Sequence, residues 1–127
     1  MKEHVVTATS FADSKDVETF KKCKAEGMSD AEAFKYGDNG IGCWGDDTTT
    51  AEPCCALSPE AMTAKWGSVK AAKHKQVFVS VGGKRVRCVL KDRLPHHSNR
   101  IDLNPGACAA LGLKPPVKVE AVWRWVT

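Results

Sequence analysis

The stretch "KQVFVSVGGKRVRCVLKD", residues 75 to 92, constrains this chain more than any other. Val77, Val79 and Val81 alternate with other residues up to Gly82-Gly83, and Val86, Cys88 and Leu90 resume the alternation after it. A two-residue period on both sides of a Gly-Gly turn predicts a β-hairpin with one buried face. With 127 residues there is room to close one sizeable core around that hairpin, so residues 1–127 are expected to form a single domain.

Two more strands are legible. "HVVTATSF" sets Val5, Thr7 and Thr9 against Val6, Ala8 and Ser10, and "VKVEAVWRWV" alternates near the C-terminus. Between the first strand and the hairpin the pattern changes. "DVETFKKCKAEG" spaces Val17, Phe20 and Cys23 three apart and stops at Gly27, and "SDAEAFKYG" opens with Ser29 and Glu32 in capping-box register. Two short helices are predicted there, followed by a Gly-, Asp- and Thr-rich loop over residues 37 to 55. After the loop, Ser58 caps a helical turn begun by Pro59.

Six cysteines (Cys23, Cys43, Cys54, Cys55, Cys88 and Cys108) show no C-x-x-C spacing, which predicts disulfides rather than zinc or thioredoxin-like chemistry. Those disulfides are expected to order the 37 to 55 loop. An oxidising location follows, either extracellular at a cell wall or on a phage virion, because the N-terminus has no apolar signal core. No stretch is long enough to span a bilayer. The net charge of +4 favours anionic surfaces without specifying one, and no nucleic-acid-binding motif is present.

The segment "KDRLPHHSNRIDLNPGACAALGL", residues 91 to 113, carries the chemistry. Its two-residue period turns Ile101 and Leu103 one way and Arg100 and Asp102 the other. Asn104 supplies the cap of the helix that follows, with Pro105 in its first turn, so Asp102 is left for another role. The segment resembles the "TDxxP…DLSPxAFxxLG" pattern of expansin-like proteins and the "NDRGPF…RIIDLSxAAAxxLG" pattern of the rare lipoprotein A family. "CCALSPEAM…WGSVKAA", the opening "VTATSF" and the closing "VKVEAVWRWV" extend the likeness over about two thirds of the chain.

That resemblance implies a mainly β fold, a six-stranded double-psi β-barrel with a short helical, cysteine-bearing insertion after the first strand, here residues 14–55. It also implies an open groove that binds, loosens or cleaves a cell-wall polysaccharide, with peptidoglycan the expected one, as a lytic transglycosylase or glycosidase. A non-catalytic virion, tail or other assembly module built on the same barrel is the alternative. Asp102 matches the proton-donating aspartate and Asp92 its acidic neighbour. Thr9 of the opening strand is placed among the substrate contacts, and Asp13 falls near the position of the base in small barrel endoglucanases.

His96 and His97, in the loop between the two aspartates, are candidate groove contacts. No third and fourth ligand stands at metal spacing, so neither metal nor cofactor is expected. Trp44, Trp123 and Trp125 are candidate sugar platforms, the last two sharing one face of the final strand.

Overall fold

The computed structural model describes residues 2–127. Six strands, β1 (His4–Ser10), β2 (Cys54–Leu57), β3 (Gln76–Val81), β4 (Lys84–Arg93), β5 (Arg100–Leu103) and β6 (Lys118–Trp125), close into a barrel in the order β1-β5-β2-β4-β3-β6. The β1–β5 and β2–β4 pairs are parallel and the other four are antiparallel. Closure leaves no sheet edge exposed.

The alternation read from the sequence selects the barrel interior. Ala8, Cys55, Leu57, Val77, Val79, Cys88, Leu90, Ile101, Leu103, Ala121, Trp123 and Trp125 all belong to one buried cluster. Gly82 and Gly83 both have positive φ, as the tight turn between β3 and β4 requires. Helix α3 (Pro59–Trp66) starts where Ser58 accepts a bond from the Ala61 amide, and it contributes Met62 to the core.

Residues between β1 and β2 form the insertion. Helix α1 (Ser14–Ala25) is capped by Asp13, and helix α2 (Asp30–Ala33) by Ser29, whose hydroxyl accepts from the Glu32 amide and donates to the Glu32 carboxylate. Phe20, Cys23 and Ala33 form a small core of their own. Cys54 and Cys55, expected at the end of this insertion, instead make up the first half of β2.

The expected disulfide framework is not formed: all six cysteines are free thiols, and only Cys43 is exposed. The other five pack as small apolar side chains, a role that free cysteine fills well. The loop before β2 is ordered by Asn104 instead. This buried side chain caps helix α4 (Pro105–Ala110) by accepting from the Ala107 amide at 2.9 Å, and its Oδ1 also accepts from the Cys54 amide at 2.8 Å. Its Nδ2 donates to the carbonyls of Thr48, Thr50 and Glu52 at 3.0, 3.3 and 2.8 Å. Three carbonyls of a polar loop, together with the Cys54 amide of β2 and the Ala107 amide of α4, thus find partners on one side-chain amide, so no covalent staple is needed to satisfy them.

Glycine allows the insertion to press against the barrel. A Cβ on Gly42 would lie 1.9 Å from the Lys91 carbonyl oxygen, and one on Gly106 would lie 2.4 Å from that of Ala51. Both distances are far inside any real contact, so the approach requires glycine.

Candidate functional site

Strand β5 buries Ile101 and Leu103 and turns Arg100 and Asp102 outward, as its alternation predicts. Asp102 lies in register with Thr9 of β1 on one side and with Ala56 of β2 on the other. Ala56 is in register with Asp92 of β4, because a bulge after Cys55 skips Lys91. Without that bulge the inward alternation of Cys88 and Leu90 would carry Asp92 toward the interior. With it, Asp92 shares the outer side of Ala56 with Asp102. Re-aiming one side chain is a common effect of a bulge.

A groove of about 390 Å³ lies over these strands. Phe11, Ala56 and Leu94 pack together as its apolar floor. The insertion supplies one wall through Asp16, Phe34, Tyr36 and Asp38, and Arg93 and Arg100 bring positive charge. Phe34 and Tyr36 are 46% and 63% exposed, so part of each ring is open to the groove.

The Asp102 carboxylate accepts from Thr9 Oγ1 and, at 3.4 Å, from Arg100 Nε. Among the described residues both bonds reach Oδ1, which leaves Oδ2 without a protein donor. Burial raises its pKa from 3.8 to about 6; Arg100 opposes the shift, and the charges of Asp92 and Asp38 add to it. Asp38 is also raised to about 6, chiefly by burial, although its Oδ2 accepts from the Gly40 amide at 2.8 Å. Burial likewise raises Asp92 and Asp16. Carboxylates crowded into one partly dry groove compete for protons, so the cluster can hold one at mildly acidic pH.

Asp92 has a second task. Its Oδ1 accepts from the Cys43 amide at 3.0 Å and the Arg93 amide at 2.8 Å, so it fastens the insertion to the barrel.

The remaining candidates lie elsewhere. Asp13 accepts from the Asp16 amide at the start of α1 and lines a separate depression, so it does not face Asp102. His96 Nδ1 meets Glu60 at 2.6 Å and the His97 amide donates to the same carboxylate at 2.7 Å. These bonds hold Glu60 at a pKa of about 2 and tie the histidine loop to α3, outside the groove. Trp123 and Trp125 do share a face, but that face is the barrel interior, where they are 3% and 8% exposed. Trp44 packs on the core and meets the His74 ring edge-on at 6.3 Å.

Asp16, Asp38, Phe34, Tyr36, Arg93 and Arg100 were not singled out by the sequence. The Asp38-Asn39-Gly40 turn motif and two aromatics before a loop were visible signals. Nothing local tied them to strands more than fifty residues away. Among the described residues no group of three or more His, Cys, Asp or Glu side chains is arranged to hold a metal, and no helix is long and apolar enough to cross a membrane.

The chain matches no protein-family model and no curated protein by sequence. Solved structures resemble it throughout. An expansin of Clavibacter michiganensis, a mutant in complex with cellohexaose, superposes with a TM-score of 0.61 at 14% identity over 99% of this chain and 51% of its own. The apo form of that expansin gives 0.60 at 18% identity, again over 99% and 51%. The fold is the expansin-like double-psi β-barrel. A Streptomyces papain inhibitor shares this expansin-like barrel with a TM-score of 0.58 at 20% identity, over 99% of this chain and 96% of its own. The expansin-like barrel here corresponds to about half of the expansin chain and to nearly the whole inhibitor.

Proposed function

We propose that the groove binds a cell-wall glycan, peptidoglycan by preference, and loosens or cleaves it with Asp102 as the acid. The observation that carries this reading is the pairing of Asp102, whose Oδ2 lacks a protein donor, with the exposed Phe34 and Tyr36 rings across one open groove. Sugar rings present an apolar face to an aromatic side chain and hydroxyls to carboxylates and arginines, and this lining offers both. The cellohexaose held by the expansin neighbour supports a polysaccharide partner. Such a partner locates the protein at a cell wall or on a virion that touches one.

In the cleaving form, protonated Asp102 gives its proton to the glycosidic oxygen as the bond to the anomeric carbon breaks. The ionised carboxylates beside it stabilise the positive charge that develops on the sugar. Asp92 stands two strands away, a backbone separation of about 10 Å, on the same outer side of Ala56. A lytic route needs no water, since the sugar's own hydroxyl closes the new ring. Incubation with peptidoglycan and with cellulose, followed by mass spectrometry, separates the outcomes. Anhydro-sugars mean lytic cleavage, reducing ends mean hydrolysis, binding without release means loosening, and no binding to either polymer overturns the reading.

The full-length likeness to a papain inhibitor supports a second reading, in which the exposed Phe34–Ile41 edge blocks a cysteine protease. Titration of papain activity with the purified protein tests it, and undiminished hydrolysis at excess protein rejects it.

A further inference from the structure

The barrel order places β3 three strands from β5 in either direction, so the outer face of β3 lies on the side of the barrel opposite Asp102. At its centre is Phe78, which alternation turns outward between the buried Val77 and Val79. Three guanidinium groups converge on this one ring. The Arg85, Arg124 and Arg87 carbons lie 3.8, 4.7 and 5.1 Å from its centroid, carried by β4, β6 and β4. Phe78 is in register with Arg87 and with Arg124. Among the described residues neither Arg85 nor Arg87 has a carboxylate at ion-pair distance, and Arg87 donates to Gln76 at 3.4 Å.

We propose that this face is a second binding site, for a base-free phosphodiester polymer such as a cell-wall polyol phosphate. Arg85 and Arg87, gathered on one ring with no carboxylate at ion-pair distance, repel each other, and the quadrupole of Phe78 offsets that only in part. An anion with several oxygens completes the arrangement. Arginine forks suit phosphate because its tetrahedral oxygens can accept from more than one guanidinium at once. The choice of a polymer without bases follows from Phe78 itself. Its ring is already covered by guanidiniums, so it offers no platform for stacking a nucleobase, the usual means of holding a single-stranded nucleic acid. The face is also a flat strand surface with no helix that could enter a duplex groove. The site shares no residue with the glycan groove, so the two readings stand or fall separately.

The test is fluorescence anisotropy with a labelled poly(glycerol phosphate) oligomer, an oligothymidylate of equal charge and a polygalacturonate. The proposal predicts that the polyol phosphate binds most tightly and that binding weakens steeply with salt. The Arg85→Gln/Arg87→Gln variant should lose about ten-fold or more in affinity, and Arg85→Lys/Arg87→Lys should lose less. Both variants alter exposed side chains, and unchanged melting temperatures would confirm that they fold. Asp102→Asn should bind this probe like the wild type. Equal binding by the glutamine variant would overturn the proposal, as would tighter binding of the oligothymidylate or the polygalacturonate.

Discussion

Asp92 and Asp102 stand on either side of Ala56, one strand away in each direction, and a bulge at Lys91 sets Asp92 in that register. Ten residues of chain separate them in sequence, and a single small side chain separates them across the sheet. The groove chemistry proposed above depends on this juxtaposition.

The two aspartates should respond differently to amide substitution. Asp102 has a folded pKa of about 6 against an ordinary 3.8, so folding favours its protonated form. Its contribution to stability is therefore fully present below pH 3.8 and is lost as the pH rises through 6. A shift of that size corresponds to a cost on the order of 3 kcal/mol at neutral pH. Asp102→Asn keeps an oxygen for Thr9 and Arg100 and removes the buried charge. Its melting temperature at pH 7 should equal or exceed the wild type's, the difference shrinking toward pH 4, while any glycan cleavage falls by a factor of about 100 or more. Melting curves at both pH values, with product assays, check this.

Asp92→Asn should keep both backbone bonds, whereas Asp92→Ala should release the Cys43 amide and loosen the insertion. Hydrogen exchange at Cys43 reads the difference directly: faster in the alanine variant and near wild type in the asparagine variant. Gly42→Ala should produce the same loosening by collision with the Lys91 carbonyl.

Asn104→Ala should be the most damaging single change outside the apolar core. It leaves the Cys54 and Ala107 amides and the Thr48 and Thr50 carbonyls without their partner, while the Glu52 carbonyl keeps only the Cys54 thiol. With each buried orphan costing about 1 to 3 kcal/mol and some rescued by water, a loss of roughly 3 to 5 kcal/mol is expected in denaturant unfolding. Reduction with a thiol reagent should leave the midpoint unchanged, since the cysteines are free.

Much of the barrel was legible because strands announce themselves locally. The β3–β4 hairpin, the inward faces of β1 and β6, and the outward turn of Asp102 all follow from a two-residue period and a Gly-Gly turn. What closes the site was not legible. The bulge that re-aims Asp92 leaves no local signature, and Asp38 and Tyr36 reach the groove through the packing of the insertion. The tryptophans of β6 illustrate the limit of periodicity: it shows that Trp123 and Trp125 share a face but not which side of the sheet becomes the interior. The cysteines misled for a compositional reason, since six of them suit a disulfide framework and a barrel core equally well until burial is known.

Tyr36 separates binding from folding. Its ring is exposed and its loss should leave the melting temperature within about 1 °C, while affinity for wall glycan falls by about 1 kcal/mol, or some five-fold. Phe34→Ala is less clean, because its ring lies 4.7 Å from that of Phe20 and helps anchor α2.

The most direct test is amide NMR of the labelled protein titrated with soluble peptidoglycan fragments. The account predicts shift changes concentrated at Tyr36, Gly37, Asp38, Ala56, Arg100 and Asp102, with the outer face of β3 silent. Absence of any change at saturating fragment, or changes confined to residues outside the groove, would contradict it.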